Sequence, residues 1–505
     1  MRSVSCDLVT QRWADLRQAD PRQPVNRALY GCLRRAILDG SLPASSRLPP
    51  SRDLAGELGL SRNTVMHAYE QLMAEGYLQT LTGSGTFVAD VVPDKVLWSA
   101  ASSAGRHHGR DHRIRDAQLS DRGHRVVRDA SASAVQWGAF VPGVPDVMEF
   151  PYKKFTQIST RLWRKPRPEL LSYSPGGGHP DLRDALVTHL RQARSVSCDA
   201  DQIMITEGVH QAVDLVARLL GDIEDKVWVE EPCYWGIRGV LTVNGMRVEA
   251  ISVDEEGLAP QARHHKSPPK LIFVTPSHQY PLGAVMSLRR RLALLEYARE
   301  HSAWIVEDDY DSEFRFSGRP IPSLQGLVPD APVIYIGTFS KTLYPGMRIA
   351  YMVLPKGLVS AFRTAHSELY REGHLLTQAV LAEFLAEGHY AAHIRRMRLI
   401  YASRRAALIS LVNSCLGPGW LHPYDSNAGL HLVLSLPDWM SDVRLADAAF
   451  EKGVIVRPLS RYYSGRSPEN GLLLGFACLS EQEMVRPLAL LVECIRAQHA
   501  TRACG

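Results

Sequence analysis

The sequence predicts an α/β chain in two domains: a small helical module closed by a β-hairpin, then a larger domain built on a mainly parallel sheet. Three observations carry this. Residues 24–76 show helical apolar spacing broken at Gly40, Pro43 and Gly59. Residues 90–133 lose apolar periodicity altogether. Beyond them, short apolar runs alternate with amphipathic helical stretches, the pattern of a parallel sheet covered by helices. A chain of 505 residues, 45% hydrophobic and 22% charged, has the size and composition of folded material in more than one domain.

In chain order, residues 1–20 read as an N-terminal tail. Within a first domain at 21–90, Pro24 opens a helix in which Val25, Leu29, Leu33, Ala36 and Ile37 share a face. Gly40 and Pro43 end it, a second helix spans Ser51 to Leu58, and Gly59 stops that one before a third opens at Ser61. Tyr77 to Thr80 and Thr86 to Val88 are β-type runs joined across Gly83-Ser-Gly85, which predicts a hairpin. Residues 91–135 form a linker by composition, rich in Arg, His and Asp between 106 and 128. A domain at 136–500 follows, with strands expected at Ile203-Met-Ile, Val227-Trp-Val, Leu271-Ile-Phe-Val, Trp304-Ile-Val and Val333-Ile-Tyr-Ile.

The charge balance, 58 basic against 53 acidic side chains, is only +5, so a nucleic-acid surface has to be local. Eight cysteines with no CxxC pair suggest neither a zinc site nor a disulfide framework, and reduced thiols are expected. The first twenty residues lack a signal-peptide core and no run reaches membrane-spanning length, so a cytoplasmic protein with no membrane partner is expected.

Helix, helix, Gly-containing turn, helix and hairpin is the order of a winged helix-turn-helix, whose third helix enters the DNA major groove. Ser61 is placed to N-cap that helix, and Val65, Tyr69, Leu72 and Met73 form its inner side. Arg62, Asn63 and Thr64 then stand on the exposed first turn as base-reading candidates. Arg47 and Arg52 are phosphate-binding candidates, and Gly83 and Gly85 let the wing approach the DNA backbone. A helical dimerisation module with a solvated basic face is the competing reading. The strings Arg47-Leu-Pro-Pro-Ser-Arg-Asp-Leu-Ala55, Leu60-Ser-Arg-Asn-Thr-Val65 and Tyr69-Glu-Gln-Leu-Met-Ala-Glu-Gly-Tyr77 strongly resemble the GntR family of DNA-binding domains. That resemblance spans residues 25–89 and implies a double-stranded DNA operator as partner, with Arg52, Arg62 and Thr64 in contact with it.

In the second domain, ligands of an open α/β sheet bind beyond the strands' carboxyl ends, so the residues after each run carry the chemistry. Ile203-Met-Ile leads into Thr206-Glu-Gly208-Val209-His210 and a helix, a loop whose N–H groups suit a phosphate. Val227-Trp-Val leads to Tyr234, where an aromatic ring can stack on a flat cofactor, although packing alone also explains a lone Tyr. Trp304-Ile-Val leads to Glu307-Asp308-Asp309-Tyr310, acids that need a cation or protonated ring; a metal site is the rival, but no His cluster accompanies them. Val333-Ile-Tyr-Ile ends in Gly337-Thr338-Phe-Ser340-Lys341-Thr-Leu-Tyr-Pro-Gly-Met-Arg348. A lysine among hydroxyls and an arginine suits a phosphate-bearing aldehyde, with Lys341 forming the Schiff base and Thr338, Ser340 and Arg348 binding phosphate. Asp308 for a pyridine nitrogen, Tyr310 for a ring hydroxyl and Tyr234 for stacking fit pyridoxal 5'-phosphate (PLP); a surface lysine in a turn is the competing reading of the Lys341 segment taken alone.

This set resembles the fold-type I aminotransferases. The pieces Thr275-Pro-Ser-His-Gln-Tyr-Pro-Leu-Gly283, Glu307-Asp-Asp-Tyr-Asp-Ser-Glu-Phe-Arg315 and Gly337-Thr-Phe-Ser-Lys341 look like the MocR subfamily of GntR regulators. The resemblance implies PLP on Lys341, the cofactor contacts named above, and a head-to-tail homodimer in which Tyr173 reaches the partner's phosphate. Two positions depart from the pattern. Leu473 stands where aminotransferases of this fold place a carboxylate-binding arginine, and Val209 replaces a small hydroxyl residue. Arg457 and Arg461 are alternative carboxylate anchors or ordinary structural charges. The expected function is a transcription regulator sensing PLP, an amine or an amino acid at Lys341. The rivals are a working aminotransferase with an accessory DNA-binding module, and a PLP-sensing or storage protein without specific DNA recognition.

Overall fold

A computed structural model describes residues 6–20, 23–81, 83–90, 119–128, 135–165, 167–318, 321–465 and 468–503. The chain divides into two compact units, residues 1–118 and 119–505.

In the first unit four helices, α1 (Cys6–Ala19), α2 (Val25–Leu38), α3 (Ser51–Leu58) and α4 (Arg62–Ala74), precede strands β1 (Leu78–Leu81) and β2 (Gly85–Val88). The spacing expected for α2 is realised: Leu29, Leu33, Ala36 and Ile37 are buried together with Ala28 and Cys32. Gly59 ends α3 in the left-handed conformation (φ +63°), which a residue without Cβ adopts cheaply. On α4 the buried side is Val65, Ala68, Tyr69 and Leu72, and the Tyr69 hydroxyl donates to the Pro49 carbonyl at 2.9 Å. β1 and β2 pair antiparallel, and the chain around Arg47 joins them, with Leu48 N–H donating to Thr86 O and Val88 N–H to Ser46 O.

Residues 1–20 are not simply a tail. α1 buries Val9 and Trp13 in the same core as Leu29, Leu54 and Leu72, and Arg12 bonds Asp39 and Ser41 at 2.6 Å. The cause is a narrow apolar stripe, Val9, Trp13 and Leu16 at i, i+4 and i+7, set among so many charges that it does not stand out in composition.

The second unit is built on an eight-stranded sheet: β3 (Ile203–Thr206), β4 (Lys226–Glu231), β5 (Arg247–Asp254), β6 (Gly257–Leu258), β7 (Leu271–Val274), β8 (Trp304–Asp309), β9 (Val333–Thr338) and β10 (Ala350–Val353). The strand order is β3-β10-β9-β8-β7-β4-β5-β6. β9, β8, β7, β4 and β5 run parallel, whereas β10 and β6 are antiparallel to their neighbours. Of the parallel strands, β4, β7, β8 and β9 are buried along nearly their whole length, which is why they carry apolar runs, whereas β5 buries only Ile251. A second, antiparallel sheet follows in the order β11 (His431–Ser435), β13 (Gly471–Gly475), β12 (Arg457–Pro458). A 28-residue helix, His389–Leu416, packs Ile394, Met397, Tyr401 and Leu408 into the core.

The expected linker is interrupted by a helix at Asp121–Arg128, a charged segment with little apolar surface to betray it. The rest of the linker, 91–118 and 129–134, lies outside the described residues. Among the described residues no helix is long and apolar enough to cross a membrane.

Candidate cofactor cavity and nucleic-acid surface

In the first unit, the Ser61 side chain accepts from Thr64 N–H at 3.1 Å, so the start of α4 is capped as its sequence requires. Arg62 and Asn63 on the first turn are exposed, whereas Thr64 is half-buried and its hydroxyl is 2.8 Å from that of Ser61. Arg47 and Arg52 are exposed as well. Gly85 has φ +116°, and a Cβ there would stand 2.9 Å from Arg47 Nε; the glycine lets the arginine lie flat against the wing.

In the second unit, the ends of β3, β4, β7, β8 and β9 surround a cavity of ≈ 350 Å³. Val209, His210, Tyr234, Asp308, Tyr310, Thr338, Ser340, Lys341 and Arg348 all line it, brought from separate strand ends. Gly208 precedes Val209 as the N-cap of the helix Val209–Leu220, with φ +95°; a Cβ on it would stand 2.6 Å from Arg348 Nη2. Arg348 Nη2 donates to the Glu207 carbonyl at 2.8 Å, so the guanidinium and the free N–H groups of the helix start lie together. Thr338 donates to the Ser340 hydroxyl at 3.1 Å on the adjacent loop.

The acids that end β8 separate by strand alternation. Glu307 accepts from the backbone N–H groups of Leu324 and Gln325, and Asp309 pairs with Arg194 at 2.6 Å. Of the three, Asp308 faces the cavity. Its Oδ1 is buried with no hydrogen-bond partner, and burial, reinforced by neighbouring Asp309, raises its pKa to about 7. Lys341 Nζ donates to the Gly143 carbonyl at 2.7 Å, and loss of solvent lowers the amine's pKa against the pull of Asp311 and Asp308. Tyr310 Oη and Asp311 share Nδ1 of His278, at 2.9 and 3.0 Å. A carboxylate only accepts, so Nδ1 carries the proton, Tyr310 Oη accepts from it, and the tyrosine's own O–H proton is free to turn to the cavity.

These features suit PLP. An unpaired buried carboxyl oxygen calls for a protonated ring nitrogen, a helix start with an arginine and hydroxyls calls for a phosphate, and a desolvated lysine calls for an aldehyde. Among the described residues no group of three or more His, Cys, Asp or Glu is arranged to hold a metal. Tyr173 is not part of this cavity: it is 74% exposed, with the Arg371 guanidinium 5.4 Å over its ring. Val209 lines the cavity with an apolar side chain where a hydroxyl would have offered a hydrogen bond.

Gly143, Tyr280 and Tyr462 also line the cavity, although residue type alone does not single them out. Tyr280 follows β7 and is accessible to the same strand-end rule that finds Asp308. Gly143 and Tyr462 arrive from segments with no local signal. Leu473 is fully buried in an apolar cluster with Leu282, Val433 and Leu459, and its cross-strand partners are Val433 on β11 and Arg457 on β12.

Residues 153–489 match the family "Aminotransferase class I and II", and residues 26–88 match "Bacterial regulatory proteins, gntR family". The probable rhizopine catabolism regulatory protein MocR of Rhizobium meliloti is 40% identical over 94% of this chain and 93% of its own length. The pyridoxine biosynthesis transcriptional regulator PdxR of Corynebacterium glutamicum is 32% identical over 94% of this chain and 97% of its own. Among solved structures, the α-aminoadipate aminotransferase LysN of Thermus thermophilus, complexed with N-(5'-phosphopyridoxyl)-L-leucine, has 26% identity and a TM-score of 0.66, covering 80% of this chain and 99% of that one. The kynurenine aminotransferase of Pyrococcus horikoshii, in complex with PMP, has the same identity and TM-score over 79% and 99%. Both halves of the chain thus match as a unit with regulators, and the chain belongs to the MocR subfamily of GntR-type transcription regulators, a winged helix-turn-helix joined to a PLP-dependent domain of fold-type I aminotransferase architecture.

Proposed function

We propose that this regulator senses PLP, or a primary amine or amino acid that meets PLP at Lys341, and converts occupancy of that cavity into a change in operator binding. The observation that carries the reading is the presence, in one cavity, of the desolvated Lys341 and of the buried Asp308, whose Oδ1 has no hydrogen-bond partner. When bound, PLP supplies an aldehyde that condenses reversibly with a primary amine, releasing water.

In this scheme Lys341 presents a neutral amine more readily because its pKa is depressed. Asp308 holds the ring nitrogen's proton, Tyr310 donates to the ring hydroxyl, and Tyr234 stacks on the ring. Gly208, Val209, His210, Thr338, Ser340 and Arg348 hold the phosphate. The exposed Tyr173 supplies a phosphate contact to the second subunit of a head-to-tail homodimer. In the first unit Arg62 and Asn63 read bases, Thr64 and Ser61 shape the helix start, and Arg47, Arg52 and Gly85 meet the backbone. The DNA-binding module of residues 21–90 gains α1, the segment 91–135 links, and residues 136–500 act as the effector domain. A protein that reads DNA and meets PLP works in the cytoplasm.

Because binding free energies are linked, an effector that changes operator affinity has its own affinity changed by the operator to the same factor. The test is fluorescence anisotropy of the purified protein with DNA from its own upstream region and with scrambled DNA, with and without PLP, for wild type and Lys341→Ala. Specific binding that responds to PLP only when Lys341 is present supports the reading. Equal binding to both DNAs with no response to PLP overturns it.

A further inference from the structure

Arg457 and Arg461 line the same cavity as Lys341, and nothing in the cofactor scheme employs them. Arg457 Nη2 donates to the Val135 carbonyl at 2.9 Å. The polar groups acting on it are Tyr462, Tyr280 and the like charge of Arg461; burial and that like charge lower its pKa, and no carboxylate is among them. Arg461 is exposed and, among the described residues, pairs with no acid. Arg348, by contrast, acts on His210 and Tyr234, at the phosphate-binding loop.

The backbone that carries the pair is held in place. Arg461 belongs to the short 3-10 turn Leu459–Tyr462, whose carbonyls at 461 and 462 accept from Arg238, itself paired with Glu231. The hydroxyls of Tyr280 and Tyr462 share a hydrogen bond at 3.2 Å beside it. Two guanidiniums that line one cavity, one of them half-buried and neither paired with an acid among the described residues, favour the entry of an anion there. Across the ladder from Arg457, position 473 is a fully buried leucine that cannot read an anion.

We infer that Arg457 and Arg461 form an oxyanion subsite, so that the effector is a primary amine carrying a carboxylate or other oxyanion, its amine at Lys341 and its oxyanion on the arginine pair. This rests on the amine-sensing reading above. A guanidinium presents a planar fork of donors that matches a carboxylate two bonds at a time, and two such forks in one cavity discriminate against a neutral amine.

The test uses the full-length, PLP-loaded protein and isothermal titration calorimetry with β-alanine, L-glutamate and O-phosphoethanolamine against propylamine, which shares the amine and lacks the anion. The expected result is that at least one oxyanion amine binds about tenfold or more tightly than propylamine. Arg461→Gln, at an exposed side chain whose loss leaves the fold intact, abolishes most of that preference without changing propylamine or PLP binding. Arg457→Gln does the same, and Arg461→Lys, which keeps the charge, retains part of it. Comparing β-alanine with O-phosphoethanolamine distinguishes a carboxylate from a phosphate. Equal binding of propylamine and the oxyanion amines overturns the subsite and leaves amine sensing standing, as does a preference that persists in both Gln variants. If no amine binds while PLP sits on Lys341, the subsite and the amine-sensing reading fall together.

Discussion

Lys341 Nζ donates to the Gly143 carbonyl at 2.7 Å, joining residues 198 positions apart in the chain. The amine is therefore anchored in the cavity by a backbone oxygen before any aldehyde reaches it. Lys341→Ala removes the nucleophile and leaves the phosphate-binding loop intact. It is expected to lose the visible absorbance of a PLP imine, to keep weak affinity for PLP, and to bind DNA without responding to the cofactor, as absorbance and anisotropy titrations will show.

Asp308 is the second test, because its burial leaves a pH signature. With a folded pKa of about 7 against roughly 3.9 unfolded, the native carboxyl holds a proton that the unfolded chain has already released between these values. Stability of the apoprotein therefore falls as pH rises through this window, and the penalty is complete above about pH 7. Asp308→Asn cannot ionise. Its melting temperature relative to wild type should improve between pH 4 and 8 by the equivalent of about 2–4 kcal/mol, while its PLP affinity drops because the ring nitrogen has lost its partner. A pH-independent difference between the two apoproteins would argue against an ionising, buried Asp308.

Gly208→Ala tests the phosphate loop. At φ +95° an alanine is strained by about 1–3 kcal/mol, and its Cβ overlaps Arg348 Nη2. PLP affinity is expected to weaken with little change in DNA binding by the apoprotein, as measured by equilibrium dialysis and anisotropy.

The DNA-facing arginines should divide by role. Arg62→Ala and Asn63→Ala are each expected to reduce the preference for operator over scrambled DNA by about 1–3 kcal/mol, the worth of a side chain that reads a base edge. Arg47→Ala and Arg52→Ala should weaken both DNAs alike and flatten the salt dependence by about one unit of slope each. Anisotropy titrations at three salt concentrations separate the two patterns.

Deleting residues 1–20 removes α1 and exposes the core face that Val9 and Trp13 cover. Thermal unfolding should report a destabilised DNA-binding module, on the order of 3 kcal/mol if Trp13 dominates; an unaltered transition would restore these residues to the status of a tail.

The DNA-binding helices and the parallel strands are legible in the sequence because their signals are local. Ser61 caps α4 three residues from its partner, Leu29 and Leu33 lie one turn apart, and β7, β8 and β9 are apolar runs buried on both faces. β5 and β10 escape that reading: β5 mixes exposed and half-buried positions beneath a charged sequence, and β10 is a four-residue run directly after the lysine loop. The helix Cys6–Ala19 escapes it because its apolar stripe is narrow and interleaved with charges, and Asp121–Arg128 because polar and charged residues outnumber its apolar ones.

Residue chemistry after each strand is enough to nominate Lys341, Asp308, Tyr310, Tyr234 and Arg348, since a parallel sheet delivers every strand end to one side and the chain direction is written in the order of the runs. Which of three successive acids enters the cavity depends on strand pleating and on Arg194 arriving to occupy Asp309. The placing of Gly143 on Lys341, of His278 on Tyr310, and of Arg457 opposite Leu473 depends on contacts between segments that share no local pattern. Hydrogen bonds and ladder register of that kind arise only when the whole chain packs, because their free energy is set by burial and geometry rather than by sequence proximity.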